Sequence, residues 1–290
     1  MVTRLQHYVA QFHLRRWRAG KGNFVRVLDK ANQRVFLANP RDIGGERFFH
    51  SNLPEAQIIE QWLGEIEGRA AIVYKKIDQR RDIAGLTHAE RFNLCQYIAA
   101  SLVRTREARE EVRQMSEGLL NAIARRMGVT DWEVKLTEGG ALGHHLNSFK
   151  DIPRYIPLLM RLDMILEVNR TNLPLTTSDH PVVRHNDLPP RPGGGGRLGI
   201  ASPGIQLHMP ISPELCILLL DSTTYGKFPS KWTLDDPENV VFERWLQLDQ
   251  SFRHVFSRAP EEFRHELWIL KENPDISALD RKRFSTSKDW

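Results

Sequence analysis

The apolar residues of this chain follow two different rhythms, and the change between them limits its fold more than any other feature. Between Pro54 and Arg81, Ile58, Ile59, Trp62, Ile66, Ala70, Val73 and Ile77 recur at three- and four-residue spacing, which lays one apolar face along a helix. Thr87-His-Ala-Glu90 has the form of a capping box. It opens a second helix that the spacing carries to about Met127, with Phe92, Cys95, Ile98, Ala99 and Leu102 inward, Gly118 as a point of weakness and Gly128 as its stop. From Met164 the apolar residues come in short blocks instead: Met164–Val168, Leu175–Thr177, Val182-Val183, Ile205–Met209 and Leu215–Leu220. Blocks of that length read as strands. The first two are expected to form a hairpin around Arg170–Pro174, and the last two to flank a turn at Pro210–Pro213. Helices first and strands afterwards predict an α+β fold, a helical N-terminal half packed on a mixed or antiparallel sheet built mainly from the C-terminal half.

The remaining segments fit that plan. Phe24–Leu28 and Arg34–Leu37 read as a hairpin, residues 129–160 as helix punctuated by Pro153 and Pro157, Pro237 to Arg258 as helix, and Glu266–Leu270 as a last strand. One α+β domain is expected over residues 1–270, followed by a polar tail over 271–290. With 41% apolar and 27% charged residues in 290, the chain is neither disordered nor fibrous and is long enough to bury a core. Cys95 and Cys216 lie in apolar surroundings at no metal-ligand spacing and read as buried thiols of a reducing cytosol. The N-terminus lacks the apolar stretch of a signal peptide, and no window is long and apolar enough to span a membrane. A cytoplasmic protein with no membrane partner is therefore expected. The net charge of +5 permits an anionic partner without demanding one. Glu107, Glu110 and Glu111 offset Arg106, Arg109 and Arg113, so the excess concentrates at Arg15-Arg16-Trp17-Arg18 and in the tail.

The string Gln6-His-Tyr-Val-Ala-Gln-Phe-His-Leu-Arg-Arg-Trp17 resembles the opening of a mainly bacterial family, domain of unknown function 4238 (DUF4238). In that family the string runs His-Tyr-Val-Pro-Gln and ends Leu-Arg-Arg-Phe; here Ala10 replaces the proline and Trp17 the phenylalanine. Four later landmarks resemble the family in the same order: Ile59-Glu60 with Ile66-Glu67, Arg104-Thr-Arg106 with arginine in place of a proline, Thr177-Ser-Asp-His-Pro181, and Met209-Pro-Ile-Ser-Pro213. The resemblance spans about residues 5 to 260. It implies candidate positions and no mechanism.

Those positions carry recognisable chemistry. His7, Gln11 and Arg15 are four apart and are expected on one face of a short helix, with Tyr8, Phe12 and Arg16 on the next. The imidazole can act as acid or base near neutral pH, and the guanidinium can hold a phosphate or carboxylate. The bland alternative is a docked N-terminal helix. Glu60 and Glu67, two turns apart, read either as an acid–base or metal pair or as partners of Arg104 or Arg15 in a structural clamp. Asp179 reads either as a general base that orients His7 or as a turn cap, and Ser178 as a ligand hydroxyl without the glycine-flanked elbow of a hydrolase nucleophile. His144, His145, His180 and His185 match no zinc spacing and read as surface residues. Glu133-Val-Lys135 is too common a tripeptide to mark a nuclease, and Gly193–Gly196 reads as a flexible loop.

Two functions follow. The first is a phosphate-directed hydrolase, a nuclease or phosphodiesterase, with His7, Asp179 and Glu67 catalytic and Gln11, Arg15, Arg104 and Ser178 binding substrate. A divalent metal is compatible with its carboxylates, and nucleic acid or nucleotide would be its partner. The second is a non-catalytic binding module for protein or nucleic acid, built on Arg15-Arg16-Trp17-Arg18. The hydrolase requires His7, Arg15, Arg104 and Asp179 to meet in one pocket.

Overall fold

The computed structural model describes residues 5–20, 22–51, 55–129, 131, 133–189, 197–258 and 263–283. Pro54, residues 190–196 of the glycine loop and residues 284–290 of the tail lie outside them. The chain is α+β, with most of its helix in the first half and mixed and antiparallel sheets.

The principal helices are α2 (Glu55–Arg80), α3 (His88–Val103), α4 (Arg106–Arg126), α5 (Glu138–Ser148) and α6 (Ile152–Arg161) in the first half, then α8 (Pro237–Gln250) and α9 (Arg264–Glu272). Two further helices, α1 (Gln11–Leu14) and α7 (Ser222–Tyr225), are single turns. The capping box forms as expected: Thr87 accepts from the Glu90 amide and the Glu90 carboxylate accepts from the Thr87 amide. The helix it opens stops at Val103, because Thr105 caps a new one by accepting from the Ala108 amide. Gly118 stays inside α4, and Gly128, at φ 82°, follows its end.

A five-stranded sheet runs in the order β10 (Lys231–Leu234), β5 (Asp163–Asn169), β9 (Leu215–Leu220), β8 (Gln206–Ser212), β7 (Val183–His185). The pair β10·β5 is parallel and the rest antiparallel. Alternation along β5 and β9 sends Met164, Leu166, Ile217 and Leu219 into one core with α2, α3 and α6. It sends Glu167 and Cys216, which face each other across the strands, to the opposite side, where α8 contributes Glu243. A four-stranded sheet, β3 (Arg34–Ala38), β2 (Val25–Asp29), β11 (His254–Ser257), β6 (Thr177–Ser178), joins the N-terminal hairpin to the late strands. Its two faces pack on separate cores, one around Trp17, Val27 and Phe256, the other around Leu28, Val255 and Leu270. A two-stranded ribbon pairs β1 (Leu5–His7) with β4 (Gly45–Arg47).

Four segments depart from their sequence reading. Thr177-Ser178 does not return on β5; it pairs with β11 in the other sheet, so the expected hairpin is a crossover. The helix from Pro237 ends at Gln250, where the Lys30 ammonium bonds the Leu248 and Ser251 carbonyls, and residues 254–257 become strand. Glu266–Leu270 is helical, with the Glu266 carboxylate held by Arg244 through two 2.8 Å bonds in the interior. The first part of the tail is docked: Arg281 and Arg283 both bond Glu107 on α4 at 2.9 Å. Cys95 and Cys216 are buried free thiols. Among the described residues, no helix is long and apolar enough to cross a membrane.

The histidines also differ from expectation. His145 and His180 are buried, as are His13 and His50. Burial pushes His13 to about 3, His145 to about 4 and His180 to about 3, and lowers His50 well below its ordinary value. Below about pH 6.5 the unfolded chain binds protons on these rings that the fold refuses, so their stabilisation is complete above that pH and is lost as pH falls. Glu60 and Glu167, raised by burial to about 7 and about 8, act in the opposite direction above their unfolded values but are fewer. Between pH 7.5 and 6 the two sets offset each other, so the test lies lower: thermal melts at pH 6 and 5 are expected to show a falling midpoint, and a level one would mean that the buried rings take up protons in place.

Candidate functional site

The expected helix carrying His7, Gln11 and Arg15 is half strand. Leu5–His7 pairs with Gly45–Arg47, and a Cβ at Gly45 would lie 2.8 Å from the Gln6 carbonyl, so the close pairing of this ribbon suits glycine. Ala10 is extended (φ −61°, ψ 130°), and α1 with a following 3-10 turn (Arg15–Trp17) starts only then. The three side chains still converge, because the strand delivers His7 to the start of the helix that carries the others. The Arg15 guanidinium donates to Gln11 Oε1 at 2.8 Å, and the Gln11 amide lies 3.4 Å from His7 Nε2. His7 Nε2 is also 3.1 Å from the Arg41 carbonyl, which can only accept, so Nε2 carries the hydrogen and Nδ1 the lone pair, and the Gln11 NH2, itself a donor, is a neighbour of Nε2 and not its hydrogen-bond partner.

These residues form one wall of an open pocket of about 530 Å³. The other wall is α2, which presents Glu60, Leu63, Gly64, Glu67, Gly68 and Ala71. A Cβ on Gly64 or Gly68 would meet no atom within 4 Å. Glycine inside a helix costs about 1 kcal/mol relative to alanine, and the packing of this chain gives no reason for either one. What the two glycines do is keep the pocket floor low.

The pocket is chemically polarised. Burial raises the Glu60 carboxyl to about 7, with Glu67 adding to the shift and Arg104 opposing it. Glu60 Oε1 is buried without a hydrogen-bond partner, 3.5 Å from Nε2 of His50, whose own ring nitrogens are unpartnered too. His50 sits among Phe49, His145 and Phe149, and its backbone amide is held by the buried Gln6 side chain. Burial also lowers His7, which is neutral near pH 7. An acid that can hold a proton and a base that can accept one thus line the same cavity.

Arg104 lies beneath this pocket and does not line it. Its guanidinium, 2% exposed, donates to the Tyr8 carbonyl (3.1 Å), the His7 carbonyl (3.0 Å) and Glu67 Oε1 (2.7 Å). This is the structural clamp anticipated as one alternative for Glu67. Through Arg104, Glu67 holds the backbone of His7 in place.

Asp179 and Ser178 do not meet this group, so the convergence of His7, Arg15, Arg104 and Asp179 expected of the hydrolase does not form, and a hydrolase reading has to rest on Glu60 in place of Asp179. The Asp179 carboxylate accepts three 2.8 Å bonds from the amides of Phe252, Arg253 and His254, and so organises the loop between α8 and β11. Burial raises its pKa against those amides and Lys30, which favour the anion. The Ser178 hydroxyl bonds the His180 carbonyl and Gln247. The basic-aromatic patch does not exist as a unit either. Trp17 is buried, with its indole donating to the Leu175 carbonyl, and Arg16 is tied to Asp78 and the Ile211 carbonyl. Sequence reading gave Glu60 a weaker place than Glu67 and missed His50, since nothing in a lone histidine shows which carboxylate it will face.

Among the described residues, one trio brings metal-ligating atoms within 4.8 Å of one another: Glu167, Cys216 and Glu243, between the five-stranded sheet and α8. The set lies away from the pocket and is wholly buried. Glu243 Oε1 bonds His208 Nδ1 at 2.6 Å. Burial, reinforced by Glu243, raises Glu167 to about 8. In the protonated form Glu167 needs no counter-charge, so the cluster is self-consistent as an acid beside a His–Glu pair.

Replacing Arg104 by alanine should destabilise the fold by about 3–5 kcal/mol, because it strands two buried carbonyls and the Glu67 carboxylate. Urea unfolding would read this directly; a loss under 1 kcal/mol would show that the clamp is dispensable.

No curated protein and no solved structure matches the chain. A family model described as protein of unknown function (DUF4238) matches residues 5–260, which contain the pocket, the Arg104 clamp and the Asp179 turn. The chain belongs to the DUF4238 family.

Proposed function

We propose that this protein is a hydrolase of phosphate esters, a nuclease or phosphodiesterase, with its active site in the pocket between β1–α1 and α2. The observation that carries this reading is the pairing of a neutral His7 with a Glu60 carboxyl raised to about 7, beside the exposed guanidinium of Arg15. Ester hydrolysis needs a base for water, an acid for the leaving oxygen and a positive group for the phosphate.

In this scheme Arg15, steadied by Gln11, holds the phosphate oxygens. His7 Nδ1 takes a proton from water as its oxygen bonds to phosphorus. The bond from phosphorus to the leaving oxygen breaks, and Glu60 delivers its proton to that oxygen. His7 then releases its proton to solvent and Glu60 regains one. Burial, with no hydrogen-bond donor on Oε1, favours the protonated form of Glu60 beside the neutral His50 ring. Glu67 and Arg104 are positioning residues that fix the His7 backbone. Gly64 and Gly68 leave room for the substrate.

His7→Ala and Glu60→Gln are each expected to lower kcat against a phosphodiester panel by roughly 10²–10⁴-fold. Unchanged turnover in both variants would sink the assignment, as would an inactive parent protein with or without divalent metal. The kcat/KM profile should be bell-shaped. Activity falls on the acid side as His7 takes a proton, at a pH below the ordinary histidine range because burial lowers it, and on the basic side above about 7, as Glu60 loses its own. Glu60→Gln should remove the basic limb from whatever activity remains.

Gly64→Leu gives a separate test of the pocket. The side chain enters open space and a helix position that leucine favours, so the fold should be unchanged or up to about 1 kcal/mol more stable. Turnover should be lost through a raised KM. A variant that is stable and fully active would place the substrate elsewhere.

A further inference from the structure

A second, smaller depression of about 190 Å³ adjoins the pocket and shares Arg15 with it. Its other lining residues are Arg18, Asn23, Asn39, Pro40 and Arg41, with no carboxylate among them. Several arginines elsewhere pair with an acid, Arg16 with Asp78, Arg244 with Glu266, Arg253 with Asp29 and Arg283 with Glu107, while single exposed ones such as Arg34, Arg126 and Arg170 have no such acid among the described residues, so it is the gathering of three in one hollow that matters. Among the described residues, Arg15, Arg18 and Arg41 have no such partner, although all three are exposed and drawn to one concavity. Like charges gathered in a hollow repel one another until an anion enters it.

The backbone under these arginines is fixed, so the gathering is built into the fold. Arg18 bridges Val25 at the start of the β2–β3 hairpin. The Asn39 side chain accepts from the Arg41 amide, and the Asn39 carbonyl from the Asp42 amide, which closes the turn after β3. The Arg41 carbonyl accepts from His7 Nε2, so the turn that presents the Arg41 guanidinium also orients the base of the neighbouring pocket. Asp42, the acid nearest this turn in sequence, acts on His7 and does not line the depression.

We infer that the Arg15–Arg18–Arg41 depression is a subsite for the phosphate next to the scissile one, and that the substrate is therefore an oligonucleotide strand rather than an isolated phosphate ester. This rests on the hydrolase reading for the word scissile; the binding claim stands without it. The guanidinium planes match phosphate oxygens bidentately, and Asn23 and Asn39 add neutral polar groups at the rim. Successive phosphates of one strand would occupy the two hollows, with Arg15 between them.

The test is fluorescence anisotropy of the full chain with a labelled dodecathymidylate across a salt series, for the parent and for the double variant Arg18→Ala/Arg41→Ala, with melting temperatures confirming that both are folded. Each phosphate contact to a single strand contributes about 0.7 to the slope of log K against log salt, so the double variant should lose about 1.4 from the slope and more than tenfold in affinity at low salt. An unchanged slope and affinity overturns the subsite whatever the protein hydrolyses. A second arm titrates ATP: binding of ATP that needs the two arginines, with no binding of the oligonucleotide, overturns the strand assignment in favour of a nucleoside polyphosphate. If the strand binds through these arginines and the parent cleaves nothing, the hydrolase reading fails and the subsite survives.

Discussion

A guanidinium buried to 2% has few ways to be tolerated, and the surroundings of Arg104 use most of them. Stripping an ion of water costs several kcal/mol unless its hydrogens find fixed acceptors. Arg104 finds two backbone carbonyls and one carboxylate, drawn from two separate parts of the architecture. His7 and Tyr8 come from the N-terminal ribbon and its exit, Glu67 from the middle of α2, and Arg104 itself from the end of α3. The clamp thus closes the corner at which both pocket walls meet. It also accounts for the break in the long helical segment. Arg104 must turn inward where the helix ends, and Thr105 then serves twice, capping α4 with its hydroxyl and meeting His180 Nδ1 at 2.6 Å. Glu67 stays a quarter exposed, so water still shares the charge of the pair.

The sequence was legible wherever one period governed a segment. The α2 stripe, the capping box of α3 and the β8–β9 hairpin follow from apolar spacing and local caps, and they appear within a few residues of where the pattern puts them. It was illegible where a long-range polar contact decides the outcome. Glu266-Leu-Trp-Ile-Leu270 has too few residues for its period to separate helix from strand. The buried Arg244–Glu266 bridge belongs to the helical solution, and its partners are 22 residues apart. Thr177-Ser178 leaves its neighbour strand because its backbone pairs with β11, some 78 residues on. For the site, the four-residue spacing of His7, Gln11 and Arg15 led to the right neighbours by the wrong geometry. Asp179 looked like a catalytic carboxylate because a carboxylate that collects three amides is, as a sequence, indistinguishable from one that faces a substrate.

The Glu167, Cys216, Glu243 and His208 cluster shows how the sheet carries polarity on one face without unfolding. Strand alternation forces every second residue of β5 and β9 toward α8, and there the sequence sets Glu167 and Cys216 among aliphatic neighbours, opposite Glu243 of the helix. The His208–Glu243 contact satisfies one carboxylate, while Glu167 is relieved of charge by its raised pKa. Apolar Leu175, Leu234 and Val240 close the rest of that face around Cys216. A polar core of this kind stabilises less than aliphatic packing of the same volume. It does fix which face of α8 meets the sheet, since rotation of the helix would leave His208 and Glu243 each without the other.

The region around His7 brings together several features that lower stability with no return inside the fold. Two glycines interrupt a helix next to open space, one carboxyl is held near pH 7 without a hydrogen bond on its buried oxygen, and three arginines face one another without acids. Any one of them is unremarkable on a protein surface. Their shared boundary is Arg15, which belongs to both hollows and donates to Gln11, the neighbour of His7. Other polar groups of the interior are paired, Arg16 with Asp78, Arg244 with Glu266, Asp179 with three amides. Around Arg15, an acid with no partner on its buried oxygen and three cations without acids lie in two adjoining hollows. Like charges held in one hollow by a fixed backbone repel one another, and the proposed phosphate ligand is what would relieve that repulsion.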